Sequence, residues 1–201
     1  MVLNGTMSLG RPREFDVNIA LNAAMEVFWT QGYESTSLQN LLNATHLSKS
    51  SLYKVFGNKQ QLFEAAIERY SETLYKKMQT DIETAPSGLT FIKNTLHCIV
   101  REAEGTEVPR GCFISNSINE WSIRDQRLRQ LIVDRSGKFE DLFAQAILRA
   151  QCEGDLSKKN NPIELAGFLF NSISGLRSSV KAGLSREKLD KIVDITLSAL
   201  Q

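Results

Sequence analysis

With 201 residues, 42% hydrophobic and 23% charged, the chain has an ordinary globular composition and is long enough for one large or two small domains. No apolar run approaches the roughly 20 residues that cross a bilayer, and the N-terminus lacks the order of a signal peptide, so a cytoplasmic protein without a membrane partner is expected. A formal charge of +1 gives a nucleic-acid partner no support, because the whole-chain balance hides any basic patch. Cys98, Cys112 and Cys152 form no CxxC pair, which argues against a zinc knuckle or a disulfide framework. GxGxxG, P-loop, HExxH and GxSxG motifs are absent, and His46 and His97 have no catalytic company. Neither an enzyme nor a cofactor is expected.

Residues 1–10 are polar and unpatterned, with Met7 as good a natural start as Met1, and read as a disordered or vector-derived tail. Gly10-Arg11-Pro12-Arg13 follows as a stiff basic arm, in which Arg11 and Arg13 are placed either to reach phosphates and an adjacent minor groove or simply to be solvated. Asp16 is placed to cap a first helix, whose Val17, Ala20, Leu21, Ala24, Val27 and Phe28 keep helical spacing up to a stop at Gly32. Trp29 and Tyr33 are expected to pack.

Ser37 to Lys59, SLQNLLNATHLSKSSLYKVFGNK, reads as a helix-turn-helix. Ser37 caps a helix whose Leu38, Leu41, Leu42 and Thr45 recur at i, i+3, i+4 and i+7. Ser48 caps the second, with Leu47 at N′ and Leu52 at N4 placed for a hydrophobic staple. Leu52, Val55 and Phe56 supply its inner side, while Ser48, Lys49, Ser50, Tyr53 and Lys54 crowd its start and outer surface. Such a helix start suits base edges and phosphate. Gly57 then stops the chain and Asn58, with Gln61 at N3, starts a long helix with Phe63, Ala66, Ile67, Tyr70, Leu74, Met78 and Ile82 along one side. It reaches to near Pro86 as a coupling rod.

Every later periodicity is also helical. Helices are expected over Leu89 to Glu104, within Cys112 to Trp121, and over a long stretch from Leu128 through Phe143 to a Schellman-type stop at Gly154 and Leu156, with Gly137 a site for a bend. Pro162 to Ala182 has too many apolar positions for a helix buried on one side only, together with small residues at helical spacing. A two-fold dimer contact is therefore placed there and on the last helix, through Phe168, Ser172, Gly175, Ser179, Ile192 and Thr196. The alternative is that both helices pack only within one subunit.

Gly32-Tyr33, Thr36-Ser37, the Leu-Ser-Lys-Ser-Ser-Leu-Tyr run ending in Phe56, and Lys59 resemble the TetR family of one-component bacterial transcription regulators. The resemblance covers roughly residues 11 to 70 and departs from the family at His46, where a glycine is usual and a positive φ would re-angle or slightly strain the turn. It implies base reading by Lys49 and Ser50 with Ser48, Ser51 and Lys54 flanking, and phosphate contacts from Ser37, Tyr53 and Lys59. It also implies an all-α homodimer with a helix-turn-helix domain over 11–58 and an effector-binding and dimerisation domain over 59–201.

The effector is not named by the sequence. Pro109 to Trp121, PRGCFISNSINEW, mixes aromatic and polar residues as a pocket does, so Cys112, Phe113, Asn116, Glu120 and Trp121, with Phe143 from the long helix, are the candidates. Arg110 near Cys112 suggests a thiol open to oxidants, electrophiles or a soft metal, against the plainer reading of a small buried side chain. The expected function is a repressor that binds a palindromic operator in double-stranded DNA and is released by a small-molecule effector. The rivals are a thiol- or metal-sensing regulator using Cys112 and a helical small-molecule carrier that no longer reads DNA.

Overall fold

The computed structural model describes residues 16–105, 109–121 and 125–201, with the side chains of Asn119 and Trp121 excepted. Among these residues there are nine helices and no strand: α1 (Val17–Gln31), α2 (Leu38–Thr45), α3 (Lys49–Phe56), α4 (Lys59–Thr84), α5 (Gly88–Glu102), α6 (Phe113–Trp121), α7 (Gln126–Glu153), α8 (Pro162–Lys181) and α9 (Arg186–Ala199). Arg11 and Arg13 lie outside the described residues.

The helix starts follow from local hydrogen bonding. Asp16 accepts the Asn18 N–H at 2.7 Å, while Ser37 with Asn40 and Asn58 with Gln61 close reciprocal capping boxes. Between α2 and α3 the chain turns on His46, at φ 55° and ψ 26°, the only non-glycine positive φ among the described residues. The expected left-handed turn is therefore formed by histidine, a residue that tolerates the conformation better than most. Leu47 and Leu52 are both buried behind the cap of α3, as a staple requires. Gly57, at φ 78° and ψ −119°, ends α3 in a conformation closed to side chains.

α4 is 26 residues long, roughly 39 Å at 1.5 Å per residue. Its first turns pack on α1, and Phe28 meets Phe63 edge-on at 5.0 Å between ring centroids. Phe63 and Tyr70 also meet Phe113 of α6, at 5.6 and 5.7 Å, so one aromatic cluster joins the N-terminal helices to the rest. Farther along, α7 packs between α5 and α8, and α9 closes on α5 and α8. Gly88 lies so close to α7 that a Cβ would strike the backbone at Ala146 and Ala150. α7 runs uninterrupted through Gly137 and ends at Gly154, where Asp155 and Leu156 N–H groups return to the Ala150 carbonyl at 2.9 and 3.3 Å.

Candidate functional site

The outward face of α3 is built from hydroxyls and amines. Ser48 accepts the Ser51 N–H at 3.2 Å, and its hydroxyl lies 3.0 Å from those of both Ser50 and Ser51. Ser48, Lys49, Ser50, Tyr53 and Lys54 are exposed and Ser51 is half-buried. Lys49 Nζ stands 5.9 Å from the Tyr53 ring centre, so the ring supports the ammonium while leaving it in solvent. The free N–H groups of the first turn add positive potential at the same end. Ser37 is exposed at the cap of α2, but its hydroxyl is engaged by Asn40 Oδ1 at 2.5 Å. Lys59 stands apart from this exposed set. It is half-buried with Nζ 4.2 Å over the Tyr33 ring, and burial lowers its pKa while Glu34 and Glu120 oppose the shift.

A cavity of about 40 Å³ lies between α4, α5, α7 and α8 and is closed by the start of α6. Leu74, Met78, Phe139, Phe143, Phe170 and Ile173 make it apolar, and Thr95, Ser174, Cys112 and Arg177 bring polar atoms to it. Tyr70 Oη donates to Cys112 Sγ at 3.8 Å, and burial raises the Tyr70 pKa well above its ordinary value, so this group is a neutral phenol. Arg177 is mostly buried, and burial, the largest single effect, would lower its pKa; Glu102, paired at 3.2 Å, together with Tyr70, Cys112 and Cys98 turns the net shift upward. A fixed guanidinium thus stands at the edge of an apolar space, where it can orient an anionic or carbonyl group.

The candidates in residues 109–121 divide between two sides of α6. Cys112 and Phe143 line the cavity. Phe113 does not: it is 2% exposed and turned into the aromatic cluster. Asn116 and Glu120 border a separate cleft of about 100 Å³ against the end of α1, where Asn116 donates to the Arg110 carbonyl at 2.8 Å and Glu120 accepts the Tyr33 N–H at 2.7 Å. Trp121 lies in α6, and its side chain is among those not described. The split has a simple cause, since successive helical residues turn by about 100° and nine of them cannot all face one space. Residues missed by the sequence reading include Ile114, Thr95 and Arg177. Arg177 carried a signal, as the one cation inside the small, apolar run of α8.

On the surface of α8, Phe168 is 43% exposed, Gly175 is exposed, and Ser172 and Ser179 are half-buried. A Cβ added at Gly175 would meet nothing within 4 Å, so this face has no covering inside the subunit. The assignment on α9 needs correction. Thr196 is 5% exposed and its hydroxyl donates back to the Ile192 carbonyl at 2.8 Å, while Ile192 is only half-buried. Leu189, Val193 and Thr196 form the inward stripe, and Ile195, at 70% exposed, is the apolar residue that points out.

No three His, Cys, Asp or Glu side chains converge as a metal site among the described residues. No helix among them is long and apolar enough to cross a membrane.

With this geometry in view, comparison with known proteins is specific. Residues 20–66 match the family described as "Bacterial regulatory proteins, tetR family", and residues 88–195 match "Tetracyclin repressor-like, C-terminal domain". The chain is 33% identical to the uncharacterized HTH-type transcriptional regulator YezE of Bacillus subtilis, over 96% of this chain and 100% of the relative. It is 31% identical to the HTH-type transcriptional repressor ComR of Escherichia coli, over 94% and 91%. Among solved structures, a cysteine-substituted form of the TetR family transcriptional regulator CifR, complexed with 26-base-pair double-strand operator DNA, superposes with a TM-score of 0.83. That match has 31% identity and covers 96% of this chain and 100% of the other.

Proposed function

The chain belongs to the TetR family of DNA-binding transcriptional regulators, and from that premise we propose that it is a cytoplasmic, homodimeric repressor of a palindromic operator, released by a small-molecule effector. The observation that carries the DNA side is the exposed start of α3, where Lys49 and three serine hydroxyls surround the free N–H groups of a helix end. Lys49 is assigned to guanine O6 and N7, worth about 1–3 kcal/mol of discrimination, with Ser50 beside it. Ser48, Ser51 and Lys54 flank these readers, and Tyr53 with Ser37, once its hydroxyl leaves Asn40, is assigned to phosphate, which fixes register without reading sequence. Lys59 joins them only by leaving the Tyr33 ring.

Two α3 helices must enter successive major grooves of one duplex face, which requires a two-fold dimer. The uncovered face of α8, with Phe168 and Gly175, and the outward Ile195 of α9 are the surfaces offered for it. The cavity supports the effector role. At about 40 Å³ it is well below the roughly 300–1,000 Å³ of ordinary ligand sites, so an effector of usual size must part α4 from α7 and α8. A helix shift driven in this way needs a coupling of only about 1–3 kcal/mol to release DNA.

A second reading is favoured by one further contact. Cys112 is at the cavity wall with the Tyr70 hydroxyl on its sulfur, so modification of this thiol would displace the same helices that a ligand displaces. Loss of operator binding on treatment with peroxide or an electrophile, abolished by Cys112→Ser, would favour the thiol as the trigger.

The primary test is selection of bound sequences from a random duplex pool by the protein and by its Lys49→Ala and Tyr53→Ala variants. The expected result is a palindromic motif from the parent, blurred by Lys49→Ala, and a uniform loss of affinity in Tyr53→Ala. Failure of the parent to enrich any sequence, with no salt-dependent duplex binding, would overturn the repressor reading and return the carrier reading to the front.

A further inference from the structure

The stretch that closes the cavity is also tied to the last turns of α1. Trp29 Nε1 donates to the Gly111 carbonyl at 3.1 Å, and Arg110 pairs with Glu26 while its guanidinium lies 4.4 Å over the Trp29 ring. One helix farther on, the Glu120 carboxylate accepts the Tyr33 N–H at 2.7 Å. This N–H belongs to the peptide that leaves α1 for the helix-turn-helix. Gly32 just before it has φ 79°, and a Cβ there would strike the Glu120 carboxylate. The left-handed glycine thus brings the backbone within reach of a side chain 87 positions away. Lys59 lies over the Tyr33 ring on the same patch and feels the Glu120 charge. On the opposite side of the same segment, Cys112 and Ile114 line the cavity.

We propose that Glu120 is a positioning residue, a clasp through which α6 fixes the orientation of the helix-turn-helix relative to the cavity-bearing helices. The long helix α4 is then not the sole link between the two sites. A charge-assisted hydrogen bond to a backbone N–H is short and directional, so it defines an angle where an apolar contact would allow sliding. Displacement of Cys112 and Ile114 by an occupant of the cavity would turn α6 and draw the carboxylate from Tyr33. That release frees the α1 exit. The effect on DNA rests on the repressor reading above, whereas the clasp does not.

The test follows the Tyr33 amide by NMR in the full-length protein and in its Glu120→Ala and Glu120→Gln variants. It adds residual dipolar couplings, which report the orientation of α2 and α3 against α7 and α8. In the parent the Tyr33 proton is expected far downfield and protected from exchange, with both helix pairs fitting one alignment frame. In Glu120→Ala the amide moves upfield, exchanges at least tenfold faster, and the two pairs need separate frames. Glu120→Gln, which keeps an oxygen acceptor, restores the single frame. On the operator selected by the parent, Glu120→Ala is expected to bind about tenfold more weakly at constant salt. An unchanged Tyr33 amide in Glu120→Ala would overturn the clasp, and a changed amide with an unchanged single frame would overturn the positioning role. If the orientation loosens and operator affinity does not fall, the clasp does not govern DNA binding and that part is overturned. If the parent binds no operator, the repressor reading fails by itself and the clasp is still decided by the amide and the frames.

Discussion

The two ends of α4 are held by different chemistry. At its C-terminal end Arg149 of α7 donates to the carbonyls of Ile82, Ala85 and Pro86 at 2.9, 3.0 and 3.2 Å. Its Nε is fixed in turn by Glu153 at 2.7 Å, and Glu153 accepts the Gly88 N–H at 2.8 Å. This end is pinned through backbone atoms, which cannot move without moving the helix. At the N-terminal end the polar ties run between side chains: Gln60 donates to Asp125 at 2.6 Å, and Glu64 and Glu68 meet Arg127 and Arg135, each at 3.2 Å. These ties act through flexible side chains, with Glu64 and Arg135 largely buried and Arg127 and Glu68 open to solvent, so they restrain the helix less directly than bonds to its backbone. A rod fixed at one end and adjustable at the other can pivot, and its adjustable end lies beside α3. Between the two ends, the middle of α4 supplies Leu74 and Met78 to the cavity.

The strongest way to break this contrast is to remove the apolar element of the adjustable end. Phe113 touches Trp29, Phe63 and Tyr70 and is almost fully buried, so Phe113→Ala is expected to cost about 3–5 kcal/mol, measured by urea unfolding at fixed protomer concentration. A loss below about 1 kcal/mol would mean that the N-terminal helices are not stabilised through α6. Next in size is the pinned end. Arg149→Ala uncovers three carbonyls and leaves Glu153 without its cation, and is expected to cost roughly 2–3 kcal/mol. Arg149→Lys should recover only part of this, because one ammonium cannot reproduce the planar fork that spans three acceptors. Hydrogen exchange should then quicken at Ala85, whose N–H closes the last turn of α4 at 3.0 Å on the Asp81 carbonyl. If exchange there is unchanged, that turn is stable without Arg149, and α4 has no pivot at this point.

How far each region was legible from the chain follows from the distance over which its contacts act. The helix-turn-helix conformation could be read because its determinants are local: Ser37, Ser48 and Asn58 each bond the backbone three residues on, and Gly57 ends α3 by its own conformation. His46 was legible for the same reason, as the turn fixes its φ. The cavity collects side chains from five helices, and no single periodic stripe contains it. The composition of residues 109–121 could not say that Cys112 faces the cavity while Asn116 and Glu120 face α1. On α9, Ile195 and the stripe of Leu189, Val193 and Thr196 are apolar on both sides of one helix, so periodicity alone could not choose which side faces out. The Arg149 clamp left no sequence signal, because an arginine four residues before a glutamate is an ordinary pair on any exposed helix.

The smallest expected effect sharpens the comparison through pH. The Glu153 carboxyl is held below its ordinary value of 4.5 first by the Gly88 N–H, which outweighs the opposing effect of burial, and then by Arg149. A carboxylate whose pKa is depressed in the folded state stabilises that state above the ordinary value, and the contribution disappears as pH falls through the folded value. The parent should therefore lose stability on acidification below about pH 4.5 more steeply than Glu153→Gln, with the two curves converging at the acid end. At neutral pH the parent should be the more stable, since the variant keeps an acceptor for Gly88 but offers Arg149 no charge. Asp125 at the adjustable end is lowered as well, mainly by the Leu128 N–H of its own helix cap and then by Gln60. Asp125→Asn should flatten the acid limb in the same sense, but an amide still caps α7, so the gap between parent and variant should be narrower than for Glu153→Gln. Urea midpoints recorded from pH 7 to 3 for the three proteins decide the matter. Equal slopes for the parent and Glu153→Gln would show that the charge on Glu153 does not hold the α4–α5 turn, leaving Arg149 to pin it alone.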